Sequence, residues 1–321
     1  MAAIASSDVR VAVVDIGTNS TRLLIADVAP AGALTEIYRE SIVTRLGDRV
    51  DATGRLRDDA MKRVFAALCH YRGLIDEHGA TATTAVLTSA VRDAANGAQF
   101  TAAVRKEYGL DARTIGGDEE AGLTFAGATS ERPDDGEQLV VVDIGGGSTE
   151  FVIGRDGVVG FHVSTQAGVV RQTERHIHSD PPGRAAIGAL RGEVAQIVAD
   201  SVPAGARRDV TRAIAVAGTA TSCAAIALEL EPYDPKRVHG HTLTRTTTAG
   251  ILERLAPLTN DERRAIPGLH RDRAPTIVAG VAMLLEVFDA FGLDELGVSE
   301  HDILRGAALT FAAARSADPR V

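Results

Sequence analysis

Two short stretches of this 321-residue chain set an aspartate, glycines and hydroxyls at matching spacing: Asp15-Ile16-Gly17-Thr18-Asn19-Ser20-Thr21 and Asp143-Ile144-Gly145-Gly146-Gly147-Ser148-Thr149. Each follows a valine-rich run and precedes another apolar run, so each reads as the tip of a hairpin between two buried strands. Glycines at such a tip let backbone N–H groups approach an anion closely, and Ser148 and Thr149 add donors. An aspartate at the root of the loop supplies a carboxylate that can hold a divalent cation such as Mg2+ beside a phosphate. An aspartate that merely caps a tight turn would need the same residues, so recurrence is what favours chemistry. Residues 13–26 align without gaps to 141–154, with identity at Val13/Val141, Val14/Val142, Asp15/Asp143, Ile16/Ile144, Gly17/Gly145, Ser20/Ser148, Thr21/Thr149 and Ile25/Ile153. A shared β-period explains the valines but not the same aspartate, glycine and hydroxyls at the same offsets.

The elements that must position these loops follow from periodicity. Residues 9–15, 22–28 and 34–44 read as three strands, and 58–77 carries a helical stripe of Met61, Val64, Phe65, Leu68 and Ile75. A strand over 83–88, a helix over 97–106 and a short strand over 112–115 follow. Asp118 is the expected N-cap of a helix over 119–128. A polar, Pro-containing stretch at 131–136 marks a loop before the second copy. There the strands are expected at 138–143, 149–153, 158–164 and 212–217, with helices at 185–200 and 219–230 and a helical tail over 246–315. The pattern predicts an α/β chain of two duplicated domains, 1–130 and 131–321, each a mixed sheet with covering helices.

Composition excludes several classes of protein. Hydrophobic residues make up 45% of the chain and aromatics 4%, with no tryptophan, so the cores must be built from Val, Ile, Leu and Ala. A net charge of −9 argues against non-specific binding to nucleic acid or to a membrane surface. Local basic clusters remain, at Lys236, Arg237, His239 and His241 and at Arg171, Arg175, His176 and His178. Either could line a polyanion path or be a solvated face. Their histidines have no third ligand at zinc spacing. Cys69 and Cys223 are too isolated for a disulfide framework and read as reduced core thiols. The opening residues are short, polar and unlike a signal peptide. The longest apolar helical segment, 274–291, carries Glu286 and Asp289 and reads as a core helix rather than a span. A cytoplasmic protein is expected.

With these motifs in view, the chain resembles the exopolyphosphatase/guanosine pentaphosphate phosphohydrolase family of the acetate kinase, sugar kinase and actin superfamily. The two loops carry the resemblance together with Thr88…Arg92…Ala95-Asn96, Asp118-Glu119-Glu120-Ala121, Ala217-Gly218-Thr219-Ala220-Thr221 and Gly297-Val298-Ser299…Leu304-Arg305-Gly306. These stretches lie in family order over essentially the whole length. The resemblance implies two ribonuclease-H-like, actin-like ATPase domains flanking a cleft, in a short form without the extra helical domains of longer members. It implies removal of a terminal phosphate.

It also implies roles for residues. Glu120 matches the family's essential glutamate and is expected to activate water, its place at a helix start favouring the ionised carboxylate. The residues alone leave Glu119 and Glu150 open as the base. Glu150 is read as exposed, a second base or a water-mediated metal ligand. Asp15 and Asp143 are expected to hold Mg2+. Gly17, Thr18, Asn19 and Ser20, then Gly145, Gly146, Gly147 and Ser148, are expected to bind phosphate with Arg92. The expected activity is Mg2+-dependent release of orthophosphate from inorganic polyphosphate, with short chains preferred. Guanosine pentaphosphate is the alternative substrate, and a non-catalytic polyphosphate- or nucleotide-sensing module the remoter reading. A second copy of the chain is the expected protein partner, in a homodimer.

Overall fold

The computed structural model describes residues 8–133 and 135–317. They form two compact units, one running to Gly127 and resuming at Ile303, the other spanning Ala128–Asp302. The expected division at 130/131 therefore changes in one important respect: the helix Ile303–Ala317 belongs to the first unit, not to the tail of the second.

In the first unit, β1 (Val9–Ile16), β2 (Ser20–Val28), β3 (Leu34–Val43), β4 (Ala82–Leu87) and β5 (Asp111–Thr114) build one sheet in the order β3-β2-β1-β4-β5. The first three strands are antiparallel, and β4 and β5 run parallel to β1. The nearly unbroken apolar run of β1 is needed because both sheet faces are covered. Ala12, Val14 and Ile16 pack with Val64, Leu68, Tyr71 and Val104 of the helices Asp58–Glu77 and Gly97–Tyr108. Val11 and Val13 lie on the opposite face, as a strand's two-residue period requires, and pack with Leu123, Ile303, Leu304 and Ala308. Asp15 continues that second face, which brings it to the side of the helix Gly117–Thr129.

The second unit repeats the plan. β6 (Leu139–Ile144), β7 (Thr149–Arg155), β8 (Val158–Thr165), β9 (Arg212–Val216), β10 (Thr242–Thr244) and β11 (Glu295–Val298) form a sheet in the order β10-β11-β9-β6-β7-β8. With β10 set aside as an antiparallel edge addition, the order matches the first sheet strand for strand. The helix Ile277–Phe291 is buried on every side as far as Phe288, not only along the expected stripe of Ile277, Val281, Leu284, Phe288 and Phe291, and Asp289 in its last turn is exposed. The tail expected to be helical is interrupted by β11. Its four residues are too few to show a two-residue period, and only pairing with β9 on one side and β10 on the other makes them a strand. Cys223 is buried, which pushes its thiol up to about 12, but Cys69 is exposed and so is not the core thiol expected. Among the described residues no helix is long and apolar enough to cross a membrane.

Candidate active site

Both Asp-Ile-Gly loops close with the same turn. The Gly17 N–H donates to the Ser20 carbonyl and the Gly145 N–H to the Ser148 carbonyl, each at 3.0 Å. A Cβ on either glycine would sit 3.2 Å from that carbonyl, tighter than most real contacts. Each loop is also braced from behind by the segment that follows the third strand of its sheet. In the first unit the Gly47 N–H donates to Thr18 O (2.8 Å), and Thr44 and Arg45 N–H donate to Asn19 O (3.0 and 2.8 Å). In the second, Val169 N–H donates to Gly145 O (2.9 Å) and Val170 N–H to Gly146 O (2.8 Å). Gly47 and Gly168 are therefore site residues that the motifs did not reveal. A Cβ on Gly47 would fall 2.1 Å from Thr18 Cγ2, and one on Gly168 2.3 Å from Gly146 O.

In the first unit the charged groups gather beside the loop. Asp15, 3% exposed, accepts Arg22 Nε at 2.8 Å through Oδ2. Glu120, 7% exposed, accepts Arg92 NH1 at 2.9 Å, and the same nitrogen reaches Ile115 O at 3.2 Å. Burial pushes the Glu120 carboxyl up to about 7, against the pull of Arg92 and with the help of the Asp15 charge. The helix-start position, which favoured the ionised form, is outweighed by desolvation. The helix begins at Gly117, so Asp118 lies in its first turn rather than at the expected N-cap. Glu119 turns to the surface and pairs with Arg113, which leaves Glu120 as the inward member of the pair. Thr18 Oγ1 shares a hydrogen bond with Ser89 Oγ at 2.9 Å. Asn96 serves the fold rather than the substrate, since its amide accepts Leu56 N–H at 2.8 Å and donates to Leu56 O at 3.0 Å.

In the second unit Asp143 and Glu150 are both buried and face each other across the β6–β7 ladder. Glu150 is 2% exposed and accepts Ser164 Oγ at 2.7 Å, which corrects its reading as an exposed residue. It is covered because β8 pairs alongside β7 and places Ser164 opposite it. The basic clusters are largely spoken for. Arg175 and His176 pair with Glu193, while Arg171, on the helix Val169–His176, donates from Nε to Gly147 O at 3.0 Å. Lys236 and Arg237 are exposed. The fold also supplies the third ligand that spacing did not reveal for His239, bringing Glu131 and His301 beside it. Glu300 N–H, however, donates to His239 Nδ1 at 3.2 Å, so the main chain engages that ring nitrogen.

The repeated sheet, with a loop at the same place in each copy, defines the two-domain actin-like fold. The profile of the Ppx/GppA phosphatase family matches residues 24–309. The chain is 39% identical over 318 residues to exopolyphosphatase 2 of Mycobacterium tuberculosis, covering 94% of this chain and 98% of that protein. Among solved structures, an exopolyphosphatase-like protein superposes with a TM-score of 0.88 at 35% identity, over 95% of this chain and 98% of its own. The PPX-GPPA enzyme of Aquifex aeolicus gives 0.78 at 31%, over 94% of this chain and 99% of its own. This chain belongs to the Ppx/GppA phosphatase family.

Proposed function

We propose that the chain is an exopolyphosphatase that hydrolyses the terminal phosphoanhydride of inorganic polyphosphate to release orthophosphate. The observation that carries this reading is Glu120: a buried carboxyl with a pKa raised to about 7, held by Arg92 and close to the Asp15 loop. Hydrolysis needs a water that is oriented and relieved of a proton as it attacks phosphorus, and a carboxylate tuned near neutral pH suits that role. Arg92 fixes the orientation of this base, so we assign it to Glu120 as much as to substrate phosphate. Gly17 and Gly145 close the turns with their own N–H groups, and the N–H groups of Thr18, Asn19 and Ser20 and of Gly146, Gly147 and Ser148, with the loop hydroxyls, stabilise charge on the phosphoryl oxygens.

Asp15 and Asp143, each at the root of its own unit's loop, are hard oxygen donors of the kind that suits Mg2+, and we assign metal binding to both. The ion would neutralise phosphate oxygens. Glu150, fixed by Ser164, is the second acidic candidate of the site. The net charge of −9 opposes long-range capture of a large polyanion and favours short chains. The reading includes a cytoplasmic homodimer, which light scattering of the purified chain would check. Orthophosphate release from polyphosphates of defined length, from guanosine pentaphosphate and from ATP, measured on one preparation, tests the proposal. Highest kcat/KM on short polyphosphate supports it, whereas highest kcat/KM on guanosine pentaphosphate would replace it with the 5′-phosphohydrolase reading. Release from none of them would point to a binding module.

A further inference from the structure

The two loops are braced by different kinds of donor at one carbonyl. Asn19 and Gly147 occupy equivalent positions in the two copies. The Asn19 carbonyl is held by two main-chain N–H groups, those of Thr44 and Arg45. The Gly147 carbonyl is instead held by a side chain, Arg171 Nε at 3.0 Å. The carbonyls before it, Gly145 and Gly146, are tied to the main chain of the helix Val169–His176.

In a trans peptide the N–H points opposite to the C=O. Carbonyls of Gly145, Gly146 and Gly147 turned toward the helix therefore aim the N–H groups of Gly146, Gly147 and Ser148 the other way, as a row of donors. The first two of these depend on main-chain bonds that a substitution leaves in place. The third depends on Arg171.

We propose that Arg171 is a positioning residue for phosphate, acting through the Gly147–Ser148 peptide. Gly147 has no Cβ to resist rotation, so without its guanidinium anchor this peptide can turn over. A carbonyl oxygen would then stand where the Ser148 N–H stood, and a donor to an anion would become a repelling dipole. The proposal deepens the phosphatase reading and rests on it for the catalytic arm only.

The test compares wild type with Arg171→Met, which keeps the apolar stem, and Arg171→Ala. Three quantities are read: orthophosphate affinity by calorimetry, kcat and KM on a short polyphosphate, and the melting temperature. Loss of one preorganised donor predicts a fall in kcat of about 100-fold, with orthophosphate binding weakened roughly tenfold and the melting temperature within a few degrees of wild type. Added ethylguanidinium should restore part of the activity of Arg171→Ala, because it can again occupy the Gly147 carbonyl. Orthophosphate affinity and kcat within twofold of wild type would overturn the proposal. So would a rise in KM alone, which would mean that Arg171 touches the substrate itself. If wild type binds orthophosphate but releases none from polyphosphate, the proposed function fails, and the affinity comparison still decides the role of Arg171.

Discussion

Asp15 and Arg22 face each other across the β1–β2 ladder and are joined by a salt bridge of 2.6 Å. The same two positions of the second copy are Asp143 and Glu150, two carboxylates. The duplication thus kept the loop and changed the charge beside it. In the first copy the acid is already balanced by a guanidinium. In the second, the facing residues are two buried acids, and the two like charges favour a cation beside them.

This asymmetry sets the expected response to metal. Asp143→Asn should raise the Mg2+ concentration for half-maximal rate by about tenfold, since one lost unit of local charge near a cation is worth about 1 kcal/mol or more. Asp15→Asn should shift it less but lower the melting temperature, because half-buried Arg22 loses this ion pair. Initial rates titrated with Mg2+, after chelation has removed activity, provide the check. Equal shifts in the two variants would contradict the asymmetry.

Glu120 makes the pH dependence of the reaction predictable. A base works only when deprotonated, so kcat/KM should rise with pH through about 7, the value to which burial lifts this carboxyl. Glu120→Gln should lose that limb and at least about 100-fold in kcat while still binding polyphosphate. The stability effect has the opposite sign. The unfolded chain releases this proton first, near 4.5, so the folded state loses stability as pH rises from there through about 7. Denaturant midpoints followed over that window should fall in wild type relative to Glu120→Gln.

Gly168→Ala tests the brace behind the second loop. The new Cβ would lie 2.3 Å from Gly146 O, a backbone atom that can yield only if the loop shifts. Activity should fall by more than about tenfold, with a stability loss of roughly 1–3 kcal/mol as in other overpacked sites. Gly188→Ala, inside the helix Arg184–Ser201 where a Cβ meets open space, is the control and should leave activity unchanged while stabilising the chain by about 0.5–1 kcal/mol.

Ser164 holds Glu150 through a single hydrogen bond of 2.7 Å. Ser164→Ala should lower kcat about fivefold, the worth of one net hydrogen bond of ~1 kcal/mol. Ser164→Thr should retain most of the rate. A Ser164→Ala variant with normal kcat would remove Glu150 from the site.

What could be read from the residues was whatever repeats or is local. The identical Asp-Ile-Gly and Ser-Thr steps exposed the duplication because identity at fixed offsets needs no knowledge of packing. Choosing between Glu119 and Glu120 was beyond it, since adjacent helical positions differ only in which neighbour they meet, Arg113 or Arg92. The helix Val169–His176 was missed because its eight residues are mostly polar and read as surface, yet its N–H groups hold the glycine loop. Its place after a loop made Glu150 read as exposed, and the pairing of β8 with β7 buried it. His239, His301 and Glu131 meet only because distant segments converge.

The return of the helix Ile303–Ala317 to the first sheet imposes an order of events during synthesis. Residues 128–302 form a contiguous unit that can fold as soon as it leaves the ribosome. The first sheet, made earlier, must wait with Val11, Val13, Leu24 and Ala26 only partly covered, by Ile115 and Leu123, until Ile303, Leu304 and Ala308 emerge. The half of the protein translated first is thus completed last, and until then its apolar β-surface is open to wrong contacts.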